Sequence, residues 1–440
     1  MRSRKSLRLK YTCEAPLAGS WGEEPTGTVD TIPCVRVADF DRDNFRLKSG
    51  ELTLRDIPSR DRTRGMLIHG DLLIEKSGGG EQQPVGAVAQ YDRNEPAISS
   101  NFLARIRARP GFHPRFLTYV HASLYASRLT ARSAKQTTGI QNLDLYDYLN
   151  ERFLFPCYEE QQATANFLDQ ATNDLDRVLA KKQRLIELLD EKRAAVVSRA
   201  VTEGINPEAP MKGSGVPWLG RIPAHWIVTP LKFVAEVQNG LTVGKKYDDN
   251  EVLTARPYLR VANVQDGYLD LEDITSIQLP AREVGQYELQ SGDVVVTEGG
   301  DFDKLGRGYV WNGEIAGCLH QNHIFAVRPS PSRLRSAFLA ALTTSLYGRN
   351  YFTATSVQST NLACTNRSKL GAFAVPLPRV EEQDTICRRL GESFAEWATA
   401  TKRLRSTIDL LREYRSTLIT AAVTGQLDIR KHEKKMEALV

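Results

Sequence analysis

The sequence predicts an α+β fold: two similar mixed α/β domains separated by two long antiparallel coiled-coil helices, in a pseudo-twofold internal repeat. Three observations predict it. The 440 residues repeat themselves at a spacing close to 222 positions; each half opens with short β-type runs broken by turn residues; and each half closes on a long stretch with an apolar period of 3.5 residues.

The repeat is legible residue by residue. Leu9-Lys10-Tyr11 recurs as Leu231-Lys232-Phe233, Gly70-Asp71-Leu72-Leu73-Ile74 as Gly292-Asp293-Val294-Val295-Val296, and Ala200-Val201-Thr202 as Ala422-Val423-Thr424. Val35-Arg36-Val37-Ala38 recurs as Leu259-Arg260-Val261-Ala262, with a small drift from loop length. Strands are expected at 7–12, 34–40, 70–80 and 84–91, and again at 231–237, 258–264, 292–300 and 323–329. Helices are expected at 116–127 and 334–346.

The closing stretches carry heptads. Leu168, Ala171, Leu175, Val178, Lys182, Leu185, Leu189, Lys192 and Val196 alternate steps of three and four, which keeps one stripe facing a partner helix. The matching set is Leu390, Ser393, Trp397, Ala400, Leu404, Thr407, Leu411, Tyr414 and Leu418. Leu404 and Tyr414 stand where the first stripe has Lys182 and Lys192, so the stripes complement one another and are expected to pair together. A helix of about 45 residues is about 65–70 Å long, enough to act as a spacer between globular parts. The expected boundaries are a domain at 1–157, a helix at 158–204, a proline-rich crossing at 205–228, a domain at 229–378, a helix at 379–425 and a polar tail at 426–440.

Composition excludes some classes. Charged residues at 25% and hydrophobic ones at 41% are ordinary for a soluble globular chain. No run of eighteen apolar residues exists, and the basic start lacks the apolar core of a signal peptide, so a cytoplasmic chain is expected. Six cysteines without a CxxC pair read as reduced thiols.

The net charge of +5 is too mild to name a partner; its distribution is more telling. Residues 96–143 contain no acid and seven bases, Arg105, Arg107, Arg109, Arg115, Arg128, Arg132 and Lys135. Residues 315–380 again contain no acid and seven bases, Arg328, Arg333, Arg335, Arg349, Arg367, Lys369 and Arg379. Each window also holds a run of small hydrogen-bonding side chains, 130–142 and 353–361. Basic groups suit phosphates, and Arg, Gln, Asn, Ser and Thr suit base edges. The residues expected to contact DNA are Lys76, Arg105, Arg107, Arg132, Lys135, Gln136, Thr137, Arg307, Gln321, Asn322, Thr355, Gln358, Ser359 and Arg367.

Catalytic signatures are missing. The chain has no GxxxxGK[ST], no HExxH, no GxSxG and no Asn/Asp-Pro-Pro-aromatic tetrapeptide. Gly78-Gly79-Gly80 lacks GxGxxG spacing and reads as a tight turn. Cys318-Leu-His320-Gln-Asn-His323 has zinc-like ligands, but 97–102 in the first half has none, so a polar strand end facing DNA is preferred. Asp71 with Glu75-Lys76 has a nuclease flavour that Thr297-Glu298 does not keep, and is read as chance.

The arrangement resembles the specificity subunit of type I restriction–modification systems. The resemblance rests on 214–226 (SGVPWLGRIPAHW), similar to that family's lead into its second target-recognition domain; on the Pro-x-x-Glu-Glu-Gln helix openings at 156–161 and 378–383; and on 421–427 (AAVTGQL), similar to its second helix end. With the duplication it covers nearly the whole chain, although the first half lacks a Trp-Leu-Gly-type lead-in. The resemblance implies a non-catalytic subunit with two target-recognition domains. Each would read one half of a bipartite sequence in double-stranded DNA, with the helices setting the spacer. It also implies two modification (methyltransferase) subunits and restriction (translocase/nuclease) subunits as partners, docked through the helices. S-adenosylmethionine, ATP and Mg are then expected on those partners, with no cofactor bound by this chain directly. The rival reading is a structural coiled-coil adaptor without DNA specificity.

Overall fold

The computed structural model describes residues 4–27, 30–80, 83–137, 140–248, 250–265, 268–300, 305–359 and 362–429. Two compact units form: one joins the first 183 residues to the stretch from Arg405 onward, the other runs from Arg184 to Leu404. The two 45-residue helices, Tyr158–Thr202 and Val380–Thr424, each give one part to each unit.

In the first unit a four-stranded antiparallel sheet has the order Leu17–Ala18, Leu103–Ile106, Leu72–Glu75, Val88–Gln90. Strand Leu72–Glu75 is buried along its whole length because it is covered on both faces. Leu72 and Ile74 pack with Phe116, Leu117 and Val120 of helix Pro114–Ala126, while Leu73 points the other way to Val35, Phe40 and Leu47. A second sheet, Thr53–Asp56, Thr31–Val35, Ile98–Ser99, includes a parallel pair, and Lys5–Arg8 pairs with Arg152–Phe155 just before the long helix.

The second unit repeats this plan. Its sheets are Ala235–Asn239, Ile324–Pro329, Val294–Thr297, Gly308–Val310, and Thr275–Pro280, Leu253–Leu259, Leu319–His320, with Ile227–Pro230 on Ala374–Leu377. Val294 and Val296 join one core and Val295 another, as in the first unit.

Each core is closed by both long helices. Ala165 and Leu168 share the first with Leu418, Ile419, Ala422 and Val423; Ile386 and Leu390 share the second with Val197, Ala200 and Val201. The start of one helix therefore lies beside the end of the other, which is the antiparallel arrangement. The heptad expectation is half right. The stripe passes Leu168 and Leu175 but then uses Thr172, Ile186 and Ala200, at most 5% exposed, whereas Val178 and Leu185 are 41% and 45% exposed. The same one-residue slip occurs in the second helix, where Ile408 and Arg415 are buried and Tyr414 is 46% exposed. Polar residues in the true seam hid it. Thr172 returns its hydroxyl to the Leu168 carbonyl at 2.7 Å, Arg193 lies 4.8 Å over the Phe394 ring, and Arg415 pairs with Asp176 at 3.2 Å.

The Pro-x-x-Glu-Glu-Gln motif also has a structural cause. Gln161 and Gln383 are at most 1% exposed and clamp the helix starts. Gln383 accepts from the Arg335 N–H at 2.8 Å and donates to the Arg333 and Pro378 carbonyls at 2.8 and 3.0 Å; Gln161 accepts from the His113 N–H at 2.9 Å and donates to the Pro156 carbonyl at 3.0 Å. The residues that brace the two helix starts correspond: Trp226 donates to Glu382 at 3.1 Å, and Arg4, 222 positions earlier, donates to Glu160 at 2.9 Å and to the Val423 carbonyl at 2.8 Å.

Several expected elements change. Strand character stops at Val35 and Leu259, and the next residues form 3-10 turns, Val37–Asp39 and Val261–Asn263, closed by the Asp39 and Asn263 side chains accepting from the Arg36 and Arg260 N–H groups. Leu9–Tyr11 and Leu231–Phe233 are likewise 3-10 turns. The second-half helix ends at Thr344, and another, Leu346–Thr355, starts where Ser345 caps the Gly348 N–H. The crossing at 205–228 holds a small hairpin, Met211–Gly213 with Arg221–Pro223.

His121, fully buried in helix Pro114–Ala126, meets the Tyr148 hydroxyl at 2.7 Å through Nδ1, and burial pushes its pKa down to about 4. An unfolded histidine binds its proton near pH 6.5, so the first unit loses stability as pH falls from there toward 4, by about 3 kcal/mol in total. Urea midpoints at pH 7 and pH 4.5 should differ less for His121→Gln than for the unaltered chain; equal differences would refute this.

Candidate nucleic-acid interface

The two polar runs fold alike. In the first unit, Ala134–Thr137 and Ile140–Leu143 form an antiparallel hairpin with Gln136 opposite Gln141. In the second, Val357–Ser359 and Leu362–Cys364 form the equivalent hairpin with Gln358 opposite Ala363. Each hairpin ends in a side-chain cap on a short helix: Asp144 accepts from the Asp147 N–H, and Asn366 from the Lys369 N–H. Each also lies against the chain leaving the central strand. Ser77 bridges Asn142, and the Gly78 N–H reaches the Gln141 carbonyl at 3.1 Å; Gly299–Gly300 pairs with Leu362–Cys364.

A strand-end loop completes the frame. Ser100 and Gln321 donate backbone N–H groups to the Val35 and Leu259 carbonyls at 2.8 and 2.9 Å. Phe102 and His323 accept from the Lys76 and Glu298 N–H groups, both at 2.9 Å. Gly240 allows this in the second unit, because a Cβ there would sit 2.1 Å from the Gln321 carbonyl oxygen. In the first unit the frame encloses a cleft of about 370 Å³ lined by Trp21, Arg36, Glu75, Gly78, Asn101 and Phe102.

The predicted residues divide into two groups. Lys76, Arg132, Lys135, Gln136, Gln321 and Asn322 lie on the hairpins or the frame around them, as do Thr137, Gln358 and Ser359, whose side chains fall outside the described positions. Arg132 and Gln136 are exposed, while Lys135, 75% exposed, is paired with Asp144 at 2.8 Å. Arg367, exposed, opens the short helix Arg367–Ala372 after its hairpin, and Arg307 lies between strands Gly299–Gly300 and Gly308–Val310.

Arg105, Arg107 and Thr355 are held by the fold. Arg107 forms a two-pronged pair with Asp71, both contacts 2.7 Å, and Asp71 is 1% exposed. Arg105 donates to the Arg64 and Met66 carbonyls at 3.1 and 3.0 Å, and burial lowers its pKa. Thr355 returns its hydroxyl to Tyr351 at 2.8 Å. The acid-free windows are thus not acid-free patches: Arg115, Arg328 and Arg335 pair with Asp169, Asp293 and Asp384, which lie outside the windows in sequence. Trp21, Asn101 and Phe102 are not among the expected contacts, although the repeat places Asn101 and Phe102 opposite Asn322 and His323, and Glu75 entered only as a chance likeness to a nuclease site.

The Cys318–His323 ligand types diverge: Cys318 is buried, His320 faces the Tyr287 carbonyl at 2.9 Å and His323 faces Glu298 at 2.9 Å. Among the described residues no group of three or more His, Cys, Asp or Glu is placed to hold a metal ion, and no helix is long and apolar enough to cross a membrane.

The fold defines a duplicated α+β protein whose units share one hairpin-and-loop frame. No protein-family model matches the chain. It is 23% identical over 365 residues to the Type I restriction enzyme StySPI specificity subunit of Salmonella potsdam, covering 81% of this chain and 74% of that protein. It is 24% identical over 355 residues to the EcoKI specificity subunit of Escherichia coli (strain K12), covering 78% and 68%. Among solved structures, a chain from a study of complex assembly and conformational transition in a type I R-M system aligns with a TM-score of 0.69 and 18% identity over 97% of this chain and 99% of that one. The HsdS subunit from Thermoanaerobacter tengcongensis aligns with a TM-score of 0.54 and 17% identity over 97% and 98%. The chain is a homologue of type I restriction enzyme specificity subunits and has the HsdS fold, as its motifs imply.

Proposed function

We propose that the chain is a sequence-specific DNA-recognition and scaffold subunit of a type I restriction–modification complex. Each unit reads one half of a bipartite site, and the long helices set the spacer and dock two modification subunits. The chain itself is non-catalytic. S-adenosylmethionine, ATP and Mg act on the modification and restriction subunits. The observation that carries this reading is the equivalent antiparallel hairpin, set against the chain that leaves the central strand, in both units of a specificity-subunit homologue. A protein-only adaptor gives no reason for that duplication.

Exchanging 1–157 for another homologue's domain should change one half of the recognised sequence and leave the other intact; a change in both halves, or in neither, sinks the division of labour. Arg132→Ala should weaken binding about equally on all sequences and reduce the slope of log affinity against log salt by about 1, whereas Gln136→Ala should relax preference within one half only. Gel shifts from 50 to 200 mM salt check both.

A further inference from the structure

We infer that the cleft of the first unit is a base-reading notch, taking a nucleobase whose exocyclic amino group enters it, with Glu75 as acceptor. This rests on the DNA-recognition reading above. Glu75 is 3% exposed at the end of strand Leu72–Glu75. Its Oε2 accepts from Arg42 at 3.2 Å; its Oε1 turns toward Gly78, at the cleft wall, and has no hydrogen-bond donor among the described residues. Gly78 has φ +114°, a conformation suited to glycine, and leaves Oε1 uncovered by any side chain of its own.

Burial pushes the Glu75 pKa up, the mark of a carboxylate short of partners. A donor entering the cleft would relieve that deficit, and an acceptor would worsen it. The cytosine and adenine amino groups donate, whereas thymine O4 and guanine O6 and N7 accept and are rejected. Adenine sets its N7 acceptor beside the amino group, so cytosine is favoured. Phe102, 45% exposed, and Trp21 supply flat apolar walls, and Asn101 a further polar group.

The second unit supports a specificity role, because its frame is the same and its lining is not. Thr297 replaces Glu75, Gln321 replaces Ser100, and His323, paired with Glu298 at 2.9 Å, replaces Phe102, with Asn322 keeping the place of Asn101. A constant frame with changed lining is what reading two unlike half-sites requires.

The test is selection of bound duplexes from a randomised pool by the full chain. The unaltered chain should enrich a two-part motif, with a C·G pair, as the cytosine preference requires, fixed at one position of one part. Glu75→Gln, which adds a donor, should cut the preference at that position about 10-fold and admit thymine or guanine, leaving the other part unchanged. Phe102→Ala, a change at the exposed rim, should weaken the same position and decides the matter should Glu75→Gln fail to fold. If both variants enrich the unaltered motif, the notch is wrong and the DNA reading stands. If the unaltered chain enriches no motif, the DNA reading falls and the notch with it.

Discussion

Arg107→Met should destabilise the first unit by about 3 kcal/mol, because it strands the Asp71 carboxylate, 1% exposed, without its cation. The lower part of the usual range applies, since Arg107 is itself 25% exposed and water can replace part of the contact. For a unit of this size that is a fall of roughly 6–12 °C in Tm, readable by calorimetry. The second unit repeats the pair as Arg328 with Asp293, both contacts 2.7 Å, so Arg328→Met should act alike. Asp71→Asn added to Arg107→Met removes the stranded charge while keeping an acceptor for the Ile68 N–H, and should recover about half the loss. A melting curve unmoved by Arg107→Met, with DNA affinity reduced well below the transition, would return this arginine to the DNA-contact set.

The other large effect is expected of Gln383→Leu. The side chain fits in volume but leaves the Arg335 N–H and the Arg333 and Pro378 carbonyls without their partner, the Pro378 bond buried and the other two part-buried. At about 1 kcal/mol or more per stranded group, the loss is about 3 kcal/mol. Gln161→Leu should cost a similar amount in the first unit. Gln383→Glu separates hydrogen bonding from shape: it keeps the acceptor and loses the donor, and should fall between. A loss below about 0.5 kcal/mol in urea titrations of Gln383→Leu would show the motif to be kept for another reason.

Much of this architecture was legible because a duplication supplies an internal control. Gly70-Asp71 and Gly292-Asp293 mark the same strand start, and the structure puts both aspartates into the same arginine pair. What sequence could not supply was direction in space. Seven bases without an acid in 96–143 looked like a patch, yet Asp71, Asp144 and Asp169 come from elsewhere to meet them. The seam slipped by one position because Val178 and Leu185 are as apolar as Leu179 and Ile186 beside them, while Thr172 and Arg193 in the true seam are polar, their polar atoms met locally or laid on an aromatic ring. At the candidate interface the hairpins were foreshadowed by composition, but the cleft was not. Its walls come from residues 21, 36, 75 and 102, which only the fold brings together.

The first unit needs residues from Arg405 onward, and its core includes Leu418, Ile419, Ala422 and Val423; the second unit is one uninterrupted stretch. On the ribosome, therefore, the amino-terminal part emerges first and finishes last. At about 5–20 residues per second it waits roughly 10–45 s for the segment that supplies Leu418, Ile419, Ala422 and Val423 to its core. The later half can be complete before the earlier one, so the order of maturation runs against the order of synthesis, and a chain cut short anywhere before Arg405 spoils the half already made.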